Sequence, residues 1–284
     1  MLVIVGTVPD PAIPVLMGEA TIESHQVVVE GRPFPINRGT PALLAAAIQV
    51  CRVLGESLPV ACLVGDIGLG DGSRKLYRFL TQEIGHLNFD VIAFHYLQPD
   101  VDWHNRVIFA IEEMPKKPVL IADAGFMYAA KMSGEASVYD LFTPDIGELA
   151  FLADEEAPHP FYTRGFIIHK ENDVEELIAR AYQFQNAAKY LLVKGSRDYI
   201  ACKDGILNII DQPVAEAMEA IGGTGDTLTG IVAALIYYGM DVGESSIKAA
   251  KINRIAGFNA MPTPATQIAE IIERIPRSVR EIIH

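Results

Sequence analysis

The sequence predicts an α/β fold, a three-layer sandwich in which a mainly parallel sheet lies between helices. Short apolar runs recur along the chain, at Leu2–Val5, Val60–Val64, Asp90–Phe94, Val119–Ile121 and Tyr190–Val193. Strands so uniformly apolar are covered on both faces, as parallel strands are. Stretches of helical periodicity separate them, so consecutive runs read as βαβ units. No internal repeat, low-complexity tract or long linker divides the 284 residues, and one domain over 1–284 is expected. Right-handed crossovers would then set ligands at the carboxyl ends of the strands.

Each element has its own signal. Leu2–Val5 is the first strand, closed by Gly6. Thr21–Arg32, with Gln26-Val27-Val28-Val29, breaks the rhythm and is expected to give a strand or two projecting from the main sheet, a small lid or β extension at about 21–35. Pro41–Leu54 opens a helix on a proline, which the first helical turn tolerates. Helices at Gly72–Ile84, Trp103–Glu113 and Val174–Ala188 alternate with the remaining strands. Ala201–Gln212 reads as a hairpin turning at Asp204-Gly205. From Thr224 the pattern is helical, through Tyr238, again over Gly243–Ala260, and from Thr266 to near the end.

Half of the residues are hydrophobic and 21% are charged, as in a globular enzyme. A net charge of -13 opposes nucleic acid or an anionic membrane as the main partner. It permits an anionic substrate wherever local backbone dipoles outweigh the global field. Cys51, Cys62 and Cys202 are too scattered for a disulfide framework or a zinc site and read as buried thiols. The opening Met1–Thr7 lacks a basic leader and a cleavage site, so a cytoplasmic location is expected.

The segment Gly222–Gly230 carries the chemistry. A helix beginning near Thr224 points the N–H groups of Gly223, Thr224 and Gly225 outward without intrahelical partners. With the positive end of the helix dipole they form an anion hole suited to phosphate, and Asp226 sets a carboxylate at its edge. The plainer alternative is a helix start in which Asp226 only stabilises the first turn. Asp145 and Glu148, three residues apart, would share a helical face and hold a hydrated Mg²⁺ near phosphates, or else simply open a helix. Lys194-Gly195 ends an apolar strand where a nucleotide phosphate would need a cation and close backbone approach, unless the lysine is a solvated loop charge. Asp123 ends another strand on the ligand side of the sheet, its competitor being a structural carboxylate. His95 and His104 lack metal-ligand spacing and are expected to be satisfied structural histidines. Tyr96 and Trp103 fit a pocket lining or core packing equally.

Taken together, these segments resemble a known family. Gly222-Gly223-Thr224-Gly225-Asp226-Thr227-Leu228-Thr229-Gly230 is similar to the anion-hole signature of the ribokinase-like superfamily, and within it to the ADP/ATP-dependent NAD(P)H-hydrate dehydratases. Val119–Ala124 resembles their strand ending in Asp-Ala-Asp-Ala, Phe142–Glu148 their Leu-Thr-Pro-His-Pro-Gly-Glu, and Leu192–Gly195 their Lys-Gly strand end. The resemblance implies a ribokinase-like fold, ATP or ADP bound with its phosphate in the anion hole, and Mg²⁺ as cofactor. It implies that Lys194 and Gly195 approach the nucleotide, that Asp145 and Glu148 serve the metal, and that Asp226 moves protons at the reacting group. Toward the N-terminus, Gly6-Thr7-Val8-Pro9-Asp10 and Gly65–Gly70 are more similar to ribokinase-type sugar kinases, and the resemblance as a whole implies substrate contacts from Asp10, Arg38, Gly39 and Asp123.

At the position of the dehydratases' Gly-Pro-Gly-Leu-Gly loop this chain has Phe94-His95-Tyr96-Leu97-Gln98-Pro99-Asp100. Three functions follow from the resemblance: a nucleotide-dependent dehydratase of hydrated NAD(P)H; alternatively an ATP-dependent kinase of a small sugar, alcohol or vitamin precursor; or a nucleotide-binding protein with altered or lost catalysis. The expected partners are a nucleotide and a small-molecule substrate, with no nucleic acid and no membrane; a homo-oligomer is compatible with the sequence.

Overall fold

A computed structural model describes residues 1–157 and 174–283. The parallel centre of the sheet comprises β1 (Leu2–Val8), β5 (Val60–Gly65), β6 (Val91–His95), β7 (Val119–Ala122), β8 (Leu141–Phe142) and β9 (Tyr190–Val193). Three antiparallel strands, β2 (Leu16–Glu23), β3 (Gln26–Val29) and β4 (Arg32–Pro35), extend it past β5. The hairpin β10 (Asp198–Cys202) and β11 (Gly205–Ile210) extends it past β9. The order across the 11 strands is β11-β10-β9-β8-β7-β6-β1-β5-β2-β3-β4.

Helices cover both faces. On one side lie α1 (Thr40–Leu54) and, from the end of the chain, α7 (Thr224–Tyr237), α8 (Val242–Ala260), α9 (Ile268–Ile272) and α10 (Ile275–Ile283). The other side carries α2 (Asp71–Glu83), α3 (Val101–Glu112), α4 (Gly125–Ser133), α5 (Ile146–Leu152) and α6 (Val174–Gln183). The strand pleat divides its side chains between the two cores: Leu2 and Ile4 enter the first, Val3 and Val5 the second. This double burial is why the strands read as unbroken apolar runs.

The expected strands and helices are present, the helical stretch expected from Thr266 onward being two helices, Ile268–Ile272 and Ile275–Ile283. The β extension is three strands, begins at Leu16 rather than Thr21, and joins the main sheet through β2 and β5. The helix expected over Val174–Ala188 stops at Gln183, because Gln185 turns into the left-handed region at φ 58° and Asn186 N–H closes back on the Ala181 carbonyl. Strand β8 and helices α4 and α5 carried too few residues for their periodicity to register.

Helix α7 is buried nearly all round, between α1 and α8. Gly230 is where its backbone meets α1: a Cβ there would fall 2.2 Å from the Leu43 carbonyl oxygen. The last glycine of the motif therefore serves helix packing, while Gly223 and Gly225 line the cleft. Because β1 and β5–β9 run in parallel, His95, Asp123 and Lys194 emerge at the same edge of the sheet as the start of α7.

Candidate active site

The first turn of α7 is built to leave its donors free. Gly223 takes the cap position at φ 103°, and no side chain caps the helix. The N–H groups at the start of α7 thus face the cleft with the positive end of the dipole behind them. Asn253 of α8 braces the turn: its amide donates to the Thr224 carbonyl at 3.0 Å, and its Oδ1 accepts the Thr227 hydroxyl at 2.7 Å.

Asp226, 8% exposed, stands at the edge of this turn. Its Oδ2 accepts the Gly39 N–H at 2.6 Å from the start of α1, and its Oδ1 lies 3.0 Å from His95 Nε2 at the end of β6. Burial would raise this carboxyl. The hydrogen bond and charge of His95, then Lys194 and the Gly39 N–H, outweigh it and hold Asp226 below the ordinary carboxylate range.

A second cluster lies beside it. Lys194 Nζ donates to both oxygens of Asp123 at 2.9 Å, and the Thr229 hydroxyl of α7 donates to Asp123 Oδ2 at 2.7 Å. Burial alone would lower the Lys194 ammonium, but Asp123, Glu148 and Asp226 raise it above its usual value. Asp145 caps α5 and shares a capping box with Glu148: Asp145 Oδ1 accepts the Glu148 N–H, and Glu148 Oε2 accepts the Asp145 N–H, both at 2.8 Å. The two carboxylates therefore do not lie along one helical face, since Asp145 is extended at φ -78° and ψ 178°. Desolvation, then the nearby Asp123 and Asp145 carboxylates working against Lys194, pushes Glu148 up to about 8.

A cleft of about 560 Å³ gathers Asp123, Asp145, Glu148, Lys194, Gly195, Gly223, Thr224, Gly225 and Asp226 on its walls. The remaining expected residues lie outside that lining. Gly39 reaches the site through its bond to Asp226. Arg38 is exposed, and its side chain runs past Gly222, where a Cβ would lie 3.7 Å from Arg38 Cδ. Asp10 is exposed in a turn, accepting the Ala12 N–H at 3.0 Å.

The role of His95 was not legible in the sequence. It is satisfied and fully buried as expected, but its partners are Asp226 and Thr40, whereas His104 bonds the Tyr139 hydroxyl at 2.8 Å away from the cleft. The available signal was its place at the end of an apolar parallel strand, the same signal that singled out Asp123. Tyr96 follows at φ 55°, its ring 4.1 Å from that of His95, and lines the cleft. Arg254, also on the cleft wall, clamps the loop after β9 by bonding Asp198 at 2.7 Å and the Gly195 and Ser196 carbonyls at 3.0 and 2.9 Å.

Oxygen-only donors at Asp145 and Glu148 suit magnesium, which keeps most of its waters. The capping box occupies one oxygen of each carboxylate. Among the described residues no group of three or more His, Cys, Asp or Glu could enclose a metal. Among the described residues, too, no helix is long and apolar enough to cross a membrane.

The chain is similar to several known proteins. Residues 99–277 match the family described as NAD(P)H-hydrate dehydratase. An uncharacterized protein of Methanocaldococcus jannaschii is 41% identical over 242 residues, covering 85% of this chain and 100% of the relative. The bifunctional NAD(P)H-hydrate repair enzyme of Pyrobaculum aerophilum is 30% identical over 166 residues, 58% of this chain and 30% of that enzyme. Among solved structures, the ADP/ATP-dependent NAD(P)H-hydrate dehydratase of Bacillus subtilis, co-crystallized with ATP/Mg²⁺, superposes with a TM-score of 0.58 at 15% identity, covering 99% of this chain and 89% of that one. The fold is ribokinase-like, as the motifs implied.

Proposed function

The chain belongs to the NAD(P)H-hydrate dehydratase family, and we propose that it is an ATP- or ADP-dependent dehydratase of hydrated NAD(P)H. One observation carries the reading: the ionised carboxylate of Asp226 stands against an uncapped, glycine-rich helix start in the same cleft as Lys194. A phosphorylated nucleotide fits the N–H groups of that turn, and a hydroxyl beside Asp226 has a base within reach. In this reading Asp226 takes the proton of the substrate hydroxyl as its oxygen accepts the terminal phosphoryl group. The bond to the nucleotide breaks, and its electrons leave with the shortened nucleotide. The new ester then departs as phosphate with the C–O electrons, and a proton lost from the adjacent carbon restores the double bond. The turn at Gly223–Gly225 stabilises charge on the phosphoryl oxygens, and Lys194 keeps the neighbouring carboxylates from repelling it. Magnesium at Asp145 and Glu148 would supply charge neutralisation between phosphates.

A second reading, an ATP-dependent kinase of a small alcohol, rests on the end of β6. Buried His95 and left-handed Tyr96 stand there in place of the dehydratases' glycine loop. Both readings share Asp226 and separate on products. Incubation with hydrated NADH, Mg²⁺ and either nucleotide should return NADH absorbance and release phosphate. No NADH from either nucleotide, with a phosphorylated product from a panel of sugars and alcohols, would replace the dehydratase by the kinase.

A further inference from the structure

We infer that His95 is held as a doubly protonated imidazolium against Asp226, and that it is the positioning residue that keeps this carboxylate ionised and aimed into the cleft. His95 is fully buried, so its ring nitrogens have no recourse to bulk water. Nδ1 lies 3.0 Å from the Thr40 hydroxyl oxygen. That hydroxyl has a single proton, and its oxygen is 2.9 Å from the Thr7 carbonyl, a group that can only accept. With the Thr40 proton given to Thr7, Thr40 can meet Nδ1 only as an acceptor, and Nδ1 carries a proton. On the other side Nε2 is 3.0 Å from Asp226 Oδ1. An ionised carboxylate only accepts, so Nε2 carries a proton as well.

Charge balance around the ring points the same way. Asp226 of α7 bonds it, Asp123 at the end of β7 lies 3.9 Å from Nε2, and Lys194 at the end of β9 is bonded to Asp123. The Tyr96 ring packs on it, and Thr40 of α1 is uncharged. Two buried carboxylates thus share one lysine, and an imidazolium supplies the second positive charge that leaves the cluster neutral. Glu148 stands beyond Lys194 and acts on that ammonium as well. Take the imidazolium away and burial dominates at Asp226, which then holds a proton at higher pH and is lost as a base. The catalytic consequence rests on the reading of Asp226 as the base; the protonation of His95 does not.

Two measurements test this. Long-range ¹H–¹⁵N correlation on the full-length protein carrying ¹⁵N-histidine at neutral pH, with His95 assigned by its loss in His95→Gln, should show both ring nitrogens protonated. The acid limb of kcat/KM for hydrated NADH should move up by about one pH unit or more in His95→Gln, which keeps a donor to Asp226 but no charge, with the nucleotide KM changed by less than about twofold. A single ring proton on His95 in the resting protein, or an acid limb that does not move, overturns the inference. The spectrum is read without substrate, so a failed dehydratase assay and a failed protonation test remain distinguishable.

Discussion

In the proposed reaction Asp226 acts as a base only because of its neighbours. One oxygen is fixed by the Gly39 N–H and the other by His95, so its ionisation and its direction are set by residues 187 and 131 positions away in sequence. Asp226→Asn keeps the shape but removes the basicity, and its amide can turn only one oxygen toward two donors. The expected result is a fall in kcat of about 10²-fold or more with nucleotide affinity retained; single-turnover assays and calorimetry check the two halves separately. The other buried histidine makes a different prediction. Burial lowers His104 to about 4 from an ordinary value of 6.5, against a smaller opposing effect of its bond to Asn105. The unfolded chain therefore takes up a proton near 6.5 that the folded chain refuses until about 4. The stability contribution is intact above that window and is lost as pH falls through it, by up to about 3 kcal/mol. Urea unfolding between pH 7 and pH 4.5 should show this slope, and His104→Gln, though less stable at pH 7, should flatten it.

Helix α5 shows how an element too short to be read from sequence can be fixed firmly. Its start is closed by the Asp145–Glu148 box, and beyond its end Lys131 of α4 donates to the Phe151 and Asp154 carbonyls at 2.6 Å each and to that of Ala157 at 3.3 Å. The same ammonium lies 3.8 Å from the centre of the Phe151 ring, and burial lowers it to about 8. Periodicity could not reveal such a helix: seven residues give two turns, and its stability comes from a lysine that precedes it by fifteen positions. Long elements such as α1 and α8 were legible because their patterns repeat over several turns. Lys131→Met keeps the stem and removes the donors. It should cost about 2–3 kcal/mol in urea unfolding, since buried carbonyls lose a charged partner. It should also weaken magnesium-nucleotide binding several-fold if Asp145 and Glu148 serve the metal as proposed; unchanged binding would separate α5 from the metal.

At the scale of the whole molecule, the architecture was legible because double burial writes itself into each strand, and the ligand edge follows from parallel topology. The residues of the glycine turn were legible too, being contiguous. Their partners were not: His95, Gly39 and Asn253 reach α7 from β6, α1 and α8, and no local pattern in the chain joins them. The same dispersal would make the proposed nucleotide binding a property of the entire fold. In the proposed function a chain of net charge -13 would draw its attraction for phosphate from backbone N–H groups and Lys194, held in place by elements from both ends of the sequence. Ligand binding should therefore stabilise the protein globally. At a hundredfold excess over Kd, magnesium with ATP or ADP should add about 2.7 kcal/mol, raising Tm by roughly 5–10 °C for a chain of this size. Asp226→Asn should retain that rise, since the carboxylate serves chemistry rather than phosphate. Gly223→Ala should lose most of it. Its Cβ would fall 2.9 Å from Ile268 Cγ1 of α9 at a backbone φ of 103°, so the turn must move to accept it and its N–H groups lose their common aim. Calorimetric scans of the three proteins with and without nucleotide decide the matter: an equal rise in Gly223→Ala, or none in the parent, would place the phosphate somewhere other than the start of α7.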